Sequence, residues 1–396
     1  MKFKNNNSSV KNFIQNSILI ILSTIVTIYM IEIAYALYNV SSYKFKKWAK
    51  NNYNRYDVYQ DEINKKIKTS VTITNNNHLE EKQETLLPLS GISNIRTIFC
   101  NELGFWTIYD SDKYGFNNSN QIWNKKNVDF VLIGDSFVHG ACVKHKDSIA
   151  GQFENKGDVI NLGYAGNGPL AEYATLKEYY DEKINSKYVI WFYYENDLQN
   201  LESELENELM KNYFVNKNFS QDLINKQIQL DELSYKLMEK YFKKHKKKFD
   251  RLFRLDEIDL VRIFFLKNIR HRISWFLEED LLNTNLVVSN KTYDGIENLN
   301  NLEKVLINSK EIVERNGSKF IFVYLPQYPG IYENYRFKVY KKVIEIVKRN
   351  EINLVDLYEN FSTNPDPKSL FPLRRYGHYN KKGYNLVVKE ILKKVY

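Results

Sequence analysis

The sequence has few of the residues on which disulfide-rich and metal-binding folds depend. Its 396 residues include only two cysteines, Cys100 and Cys142, and six histidines. Two cysteines are too few for a disulfide framework, and no group of Cys and His residues has the spacing of metal ligands. One disulfide bridge is possible but none is required, and we expect Cys142 to be a small buried side chain. Neither a metal nor another cofactor is predicted.

The sequence also lacks internal repeats, and its positive charge is spread along the chain. The net charge is +9, from 57 Lys and Arg against 48 Asp and Glu. Such a balance can indicate nucleic acid or anionic lipid as a partner, but Lys, Asn, Ile and Tyr are overused together here, as a compositional bias produces. We therefore expect no nucleic-acid partner. Binding of anionic lipid or nucleic acid through the basic run 243–248 ranks last among the functional hypotheses.

A long apolar run follows a short N-terminal segment, residues 1–17. Residues 18–38 contain a single acid, Glu32, and are long enough to span a bilayer as a helix, which predicts attachment to a membrane. Ala34-Tyr35-Ala36 has the small-x-small pattern of a signal-peptidase site, but we expect a retained anchor. Counting basic residues on either side places the rest of the chain inside the cell, whereas a signal anchor places it outside.

Residues 39–95 are polar and predict a linker that leads into a domain over residues 96–396. In that domain short apolar runs alternate with helical stretches, which predicts a parallel sheet covered by helices on both faces. The predicted strands are 130–133, 159–160, 188–193, 320–324 and 353–357, and the predicted C-terminal helices are 299–315, 332–349 and 382–394. Residues 198–290 interrupt the alternation and predict a helical insertion, which is either a lid, a lipid-binding surface or a solvated helix face.

The most informative motif is Gly134-Asp135-Ser136, which directly follows a buried strand. The serine hydroxyl is thereby placed at the carboxyl edge of a parallel sheet, where open α/β sheets hold their sites. A serine at this point could instead cap a helix. The Gly-x-Ser-x-Gly elbow of α/β-hydrolases is absent, because Val138 stands two residues after Ser136.

Three motifs in order resemble the first three of the four blocks of the SGNH (GDSL-like) hydrolase family. They are Gly134-Asp135-Ser136 followed by Gly140, then Asn161-Leu162-Gly163-Tyr164-Ala165-Gly166, then Glu195-Asn196-Asp197. The resemblance implies a flavodoxin-like α/β/α fold of three layers with Ser136 as nucleophile. It also implies an oxyanion hole formed by the backbone N–H of Gly166, or alternatively Gly163, and the side chain of Asn196. The family usually has glycine where Tyr194 stands.

Tyr376-Gly377-His378 resembles the fourth block and implies that His378 is the general base for Ser136. The aspartate that normally precedes this histidine is missing. Either a Ser/His dyad operates, or a backbone carbonyl or an acid from elsewhere, Asp356 or Asp366, orients the imidazole. We expect structural roles for the other five histidines, His78, His139, His145, His245 and His271.

The resemblance implies a serine esterase or O-acyltransferase. Ser136 would attack an ester carbonyl, form an acyl-enzyme and pass the acyl group to water or to a hydroxyl acceptor. Membrane-anchored relatives often act on O-acyl groups, acetyl above all, of cell-surface glycans, which implies a domain that faces outward. The alternative is a catalytically silent SGNH-like domain that binds a glycan or a partner protein, which the missing aspartate and Tyr194 favour.

Overall fold

The computed structural model describes residues 6–48, 55–80, 85–103, 105–253, 296–328, 336–374 and 377–396, with the isolated positions 266 and 269. The chain divides into two compact units. One consists of Met1–Asn52 and His245–Lys291, and the other of Tyr53–Lys244 and Thr292–Tyr396. The second unit contains all the described strands and all the predicted site residues.

Helix α1 (Asn6–Trp48) contains the predicted apolar run and extends ten residues beyond its predicted end at residue 38. Its segment Val10–Ala34 is the one described helix that is long and apolar enough to cross a membrane, a property that it shares with signal sequences. The apolar side chains of this segment are exposed, as expected of a surface that faces lipid. Glu32 is instead buried, and its Oε2 accepts a hydrogen bond of 2.8 Å from the backbone N–H of Ile269.

A small sheet precedes the main one and corrects the predicted linker. Its strands are β1 (Thr69–Val71), β2 (Arg96–Ile98) and β3 (Ile108–Asp110); β1 pairs in parallel with β2, and β3 is antiparallel to β2. Three leucines between β1 and β2 are also buried in the main core, namely Leu86, Leu87 and Leu89. The domain therefore begins near residue 55 rather than 96. Strands of three residues are too short to show a hydrophobic period, so composition alone indicated a linker.

The main sheet has five parallel strands, and all five were predicted. They are β4 (Asn127–Ile133), β5 (Val159–Asn161), β6 (Asn185–Tyr193), β7 (Lys319–Tyr324) and β8 (Asn353–Asp356). Their spatial order is β5-β4-β6-β7-β8. With β4 counted first, this is the 2-1-3-4-5 order of flavodoxin-like folds, whose ligands bind where the strand order reverses, beside the first and third strands. The predicted fold class is confirmed.

Helices cover both faces of this sheet. After α1, the described α-helices are α2 (Arg55–Asn64), α3 (Asn75–Glu80), α4 (Ser136–His139), α5 (Ile149–Phe153), α6 (Pro169–Tyr179), α7 (Asp197–Glu206), α8 (Glu208–Val215), α9 (Gln227–Phe253), α10 (Leu299–Arg315), α11 (Arg336–Arg349), α12 (Tyr358–Ser362) and α13 (Lys381–Val395). Of these, α2 packs against the small sheet, and so does α9 through Leu237 and Met238. Alternate residues of β4 enter different cores, Val131 and Ile133 on one face and Phe130 and Leu132 on the other. A strand buried on both faces reads as a continuous apolar run, which is why β4 could be predicted.

The predicted helical insertion is partly an integral piece of the domain. Leu198 and Leu201 of α7 and Met210 of α8 are buried in the same core as the main sheet. These helices are therefore part of the layer that covers the sheet, and not a separate lid. Apart from positions 266 and 269, residues 254–295 lie outside the described residues, as do the side chains of the basic run beyond Lys243.

Candidate active site

Ser136 is held at the carboxyl edge of the sheet by a tight connection between β4 and α4. It is the first residue of α4, and the side chain of Asp135 caps this helix by accepting a hydrogen bond of 2.9 Å from Phe137 N–H. Gly134 is required here, because a Cβ at this position would lie 2.5 Å from Cγ2 of Val138. The close turn places the Ser136 hydroxyl at the point where the strand order reverses.

His378 lies in the segment before α13 and faces Ser136. Its Nε2 is 2.8 Å from Oγ of Ser136, a hydrogen-bonding distance. Phe137 packs against the imidazole with the ring centroids 4.9 Å apart. The structure thus brings together the two side chains that the sequence predicted as nucleophile and base.

A glutamate that the sequence analysis did not single out completes the constellation. Oε1 of Glu102 is 2.8 Å from Nδ1 of His378, and Oε2 accepts a hydrogen bond of 2.9 Å from the His378 backbone N–H. Burial alone would raise the pKa of Glu102, but the hydrogen bonds and the charge of His378 outweigh it and lower the pKa below its ordinary value. Glu102 is therefore a carboxylate that orients the imidazole, with Nδ1 as the donor and Nε2 free to accept a proton.

The two acids proposed from the sequence lie elsewhere. Oδ2 of Asp356 accepts a hydrogen bond of 2.6 Å from the Tyr340 hydroxyl. Asp366 forms a bidentate ion pair with Arg374, in which its two carboxylate oxygens accept hydrogen bonds of 2.6 and 2.7 Å from the guanidinium nitrogens. Both carboxylates are thus committed to neighbours within the C-terminal part of the chain. The expectation that one of them orients His378 was wrong, because the carboxylate at its Nδ1 belongs to Glu102.

Gly377 makes room for the carboxylate. A Cβ at this position would lie 2.8 Å from Oε2 of Glu102. Any side chain here would therefore push Glu102 away from its position against the backbone N–H of His378. The glycine before the histidine belongs to the geometry of the site, although the resemblance assigned it no role.

The second motif forms a rigid loop after β5. The side chain of Asn161 accepts a hydrogen bond of 2.9 Å from Gly163 N–H and donates one of 2.8 Å to the Val138 carbonyl. Because the Gly163 N–H is already occupied, Gly166 is the better candidate of the two for an oxyanion donor. Gly166 has a φ of +83°, which glycine adopts readily. Its role as an oxyanion donor stays a prediction.

Asn196 stands in the turn that follows β6. This turn is closed by Asp197, whose Oδ2 accepts a hydrogen bond of 2.9 Å from Tyr194 N–H. The ring centroid of Tyr194 lies 4.5 Å from that of Phe137, the residue that follows Ser136 in α4. The Asn196 side chain as oxyanion donor also stays a prediction.

The two cysteines form a disulfide at the edge of the site. Cys100 is bonded to Cys142, and Sγ of Cys142 is 4.0 Å from Nδ1 of His378. Cys142 is buried, as expected, and the single bridge that the sequence left open is present. Ligand atoms of Glu102, Cys142 and His378 lie within 4.8 Å of one another, but the sulfur is in the disulfide and the other two groups share a hydrogen bond.

Three of the remaining histidines are described, and they have structural surroundings. Burial lowers the pKa of His78 to about 4 and that of His139 to about 3, so both are neutral. His139 is stacked 4.1 Å from Phe99, centroid to centroid. His145 is paired with Glu154 at 2.8 Å, and the hydrogen bond raises its pKa. The side chain of His245, and all of His271, lie outside the described residues.

The similarities to known proteins are found among solved structures. No protein-family model matches the chain, and no curated protein matches it. Among solved structures it is similar to a lipolytic protein of the G-D-S-L family from Desulfitobacterium hafniense (14% identity, 68% of this chain and 99% of that chain covered, TM-score 0.33). It is also similar to a lipase/acylhydrolase from Enterococcus faecalis (12% identity, 68% of this chain and 95% of that chain covered, TM-score 0.35). A third similar structure is a mutant acetyl-xylooligosaccharide esterase from Geobacillus (11% identity, 68% of this chain and 94% of that chain covered, TM-score 0.35).

Proposed function

We propose that the chain is a membrane-anchored serine esterase in which Ser136 is the nucleophile, His378 the general base and Glu102 the acid that orients it. The observation that carries the proposal is the pair of hydrogen bonds in series, 2.8 Å from Ser136 to His378 and 2.8 Å from His378 to Glu102. A nucleophile, a base and a group that holds the base are the elements of serine acyl transfer. The nucleophile lies at the edge of the sheet where such folds bind their ligands.

The mechanism follows from the order of the three side chains, Ser136, His378 and Glu102. Oγ of Ser136 attacks the ester carbonyl carbon while its proton passes to Nε2 of His378, and the carboxylate of Glu102 stabilises the imidazolium. Backbone N–H of Gly166 and the side chain of Asn196 are the proposed donors to the oxyanion. The tetrahedral intermediate collapses as Nε2 returns the proton to the leaving alkoxide, which departs as the alcohol. Attack by water or by an acceptor hydroxyl, with the same proton movements, releases the acyl group from Ser136.

We propose an extracytoplasmic position for the domain and an O-acyl group, acetyl above all, of a cell-surface glycan as the substrate. The disulfide between Cys100 and Cys142 supports the position, because such bonds persist in oxidising compartments. The substrate class rests on the resemblance of the motifs to membrane-anchored SGNH hydrolases. Transfer to a second hydroxyl group, rather than to water, is compatible with the same acyl-enzyme.

The silent binding domain loses its main support. It was favoured by the missing aspartate, and Glu102 now supplies a carboxylate to His378. Tyr194, the second departure from the family, packs against Phe137 without opening the turn that carries Asn196.

Hydrolysis of p-nitrophenyl acetate by the full chain in detergent tests the proposal. We expect Ser136→Ala and His378→Ala each to lower kcat/KM by at least about 1000-fold. Ser362→Ala and His145→Ala are matched controls, because both residues are exposed and lie outside the site, and they should retain wild-type activity. A folded wild-type protein that hydrolyses no faster than Ser136→Ala would refute the esterase and favour the binding domain. If the wild type is active, product analysis with an added sugar alcohol separates hydrolysis from transfer.

A further inference from the structure

We propose that the disulfide between Cys100 and Cys142 is a positioning element for Glu102, so that breaking it disables the triad while the domain stays folded. This inference rests on the proposed function and extends it to the covalent bond beside the site. It makes the activity dependent on an oxidising environment.

The disulfide joins the loop of the acid to the loop of the nucleophile. Cys100 lies two residues before Glu102, and Cys142 lies six residues after Ser136. The Cα atoms of the two cysteines are 5.2 Å apart, across 42 residues of sequence. One covalent bond therefore sets the distance between the segments that supply the first and third members of the triad.

Glu102 lies beyond the backbone pairing of its hairpin. The pairing of β2 with β3 continues to Cys100, whose carbonyl accepts a hydrogen bond of 2.9 Å from Thr107 N–H. Glu102 follows in the turn, where backbone pairing within the hairpin no longer fixes the position of the residue. A catalytic carboxylate must be held within about 0.5 Å of its productive position, and a bond two residues away supplies such a restraint.

The disulfide also contacts the imidazole and shapes its surroundings. Sγ of Cys142 is 4.0 Å from Nδ1, the atom that Glu102 binds. Cys142 is packed in a small buried cluster with Phe99, Ala141 and Ala165, the last of which precedes Gly166. The sulfur of Cys142 thus lies beside the Glu102–His378 hydrogen bond.

The backbone at Cys142 is a second reason to expect movement when the bond breaks. Its φ is +60°, a left-handed value that non-glycine residues adopt infrequently. Such a conformation persists where the surroundings impose it, and the disulfide is one of these surroundings. Without the bond, Cys142 can relax and its contact with His378 is lost.

The fold has other means of holding these segments. The hairpin is paired to β1 through β2, and Ser136 is held by the cap of Asp135 on α4. The segment next to Cys142 is also held without the disulfide, because the Ala141 carbonyl accepts a hydrogen bond of 3.2 Å from the Tyr384 hydroxyl. We therefore expect the domain to fold without the disulfide, at a lower melting temperature.

A double-mutant cycle on the full chain in detergent tests the inference. The variant Cys100→Ser/Cys142→Ser is compared with wild type, and the same pair of substitutions is compared within Glu102→Ala. If the disulfide acts through Glu102, its removal should lower kcat about 100-fold in the wild-type background and less than about threefold in Glu102→Ala, with KM changed little in both. Circular dichroism and the melting temperature, measured on all four proteins, show that assays are made on folded chains.

Chemical reduction provides a second measurement if the serine variant does not fold. Tris(2-carboxyethyl)phosphine reduces the disulfide to two thiols and becomes the phosphine oxide with an oxygen from water. Activity should fall with the appearance of two thiols per chain and return when glutathione disulfide restores the bond. A chelator is included, because the freed Cys142 thiol would stand with Glu102 and His378 as a set of metal ligands. Ser136→Ala, measured in parallel, gives the background rate.

The outcomes separate this inference from the proposed function. Equal losses in both backgrounds, or a folded variant with wild-type kcat, would overturn the positioning role while the esterase stands. A reduced wild type that keeps its activity would do the same. An oxidised, folded wild type that is no more active than Ser136→Ala would overturn the proposed function, and the positioning role with it.

Discussion

Replacing Glu102 with glutamine should nearly abolish activity although the two side chains have the same shape. Both carboxylate oxygens accept hydrogen bonds from His378, one from Nδ1 and one from the backbone N–H. An amide has only one acceptor oxygen, so its NH2 group must face one of these two donors. The variant therefore either loses the restraint on the ring or favours the tautomer in which Nε2 cannot accept the proton of Ser136.

The size of the effect can be worked out from these contacts. A hydrogen bond to a charged group contributes about 1.5–3 kcal/mol, and Glu102 accepts two. The side chains of His378 and Glu102 are only 25% and 28% exposed, so solvent screens the interaction in part. Taking about 4 kcal/mol for the lost stabilisation of the imidazolium gives a loss of about 1000-fold in kcat/KM, since about 1.4 kcal/mol corresponds to a factor of ten.

The assay is hydrolysis of p-nitrophenyl acetate, with Asp356→Asn and Asp366→Asn as matched controls. These acids bind Tyr340 and Arg374, and their amides should keep kcat/KM within about threefold of wild type. A Glu102→Gln variant with more than about a tenth of wild-type activity would refute the role of Glu102. So would a large loss confined to Asp356→Asn or Asp366→Asn.

Four further predictions concern residues outside the triad. Gly377→Ala should lower kcat/KM about 10- to 100-fold with a nearly unchanged melting temperature, because its methyl group displaces Glu102; equal activity would contradict this. Asn196→Ala should cost about 100-fold in kcat. Burial and the charge of Asp135 raise the pKa of Asp197, and its Oδ2 accepts a hydrogen bond from Tyr194 N–H. Because an amide oxygen can accept the same bond, Asp197→Asn should retain activity and Asp197→Ala should not, as kinetics on both variants would show. Burial raises the pKa of Glu204 from 4.5 to about 8, so between these pH values the folded state keeps a proton that the unfolded chain releases. The contribution of Glu204 to stability therefore falls as the pH rises through this range. Melting temperatures measured from pH 5 to 8 should change less in Glu204→Gln than in wild type.

The sheet could be predicted because its strands are buried on both faces. The central strands β4 and β6 show continuous apolar runs, and their observed limits differ from the predicted ones by three residues at most. Ser136 and His378 could be predicted as well, because each belongs to a short motif whose neighbours are local in sequence. Parallel strands bring such motifs to one edge irrespective of their separation along the chain.

Glu102 could not be predicted, because nothing local marks it. It is separated from His378 by 276 residues and lies in a turn of a hairpin with three-residue strands. Its position depends on tertiary contacts with Gly377 and on the disulfide at Cys100. The nearest signal in the sequence was the pair of cysteines, one beside Glu102 and the other just after the nucleophile. The sequence did not decide whether these cysteines form a disulfide, so it did not place Glu102 near the nucleophile.

The start of the domain is the other point at which composition was misleading. Residues 69–95 look like a linker, but β1 pairs with β2, the strand that leads to Glu102. A protein truncated at residue 95 would lose this support for the acid. The experiments above are therefore designed for the full chain.

Labelling with a fluorophosphonate tests the central claim most directly, because the probe reacts with a serine only when a base has activated it. The full chain in detergent is labelled, digested and analysed by peptide mass spectrometry. The account predicts a single adduct on Ser136 that is absent in Ser136→Ala and forms at least about 100-fold more slowly in His378→Ala and Glu102→Gln. A folded wild-type chain without an adduct on Ser136, or one that labels equally fast without Glu102, would contradict it.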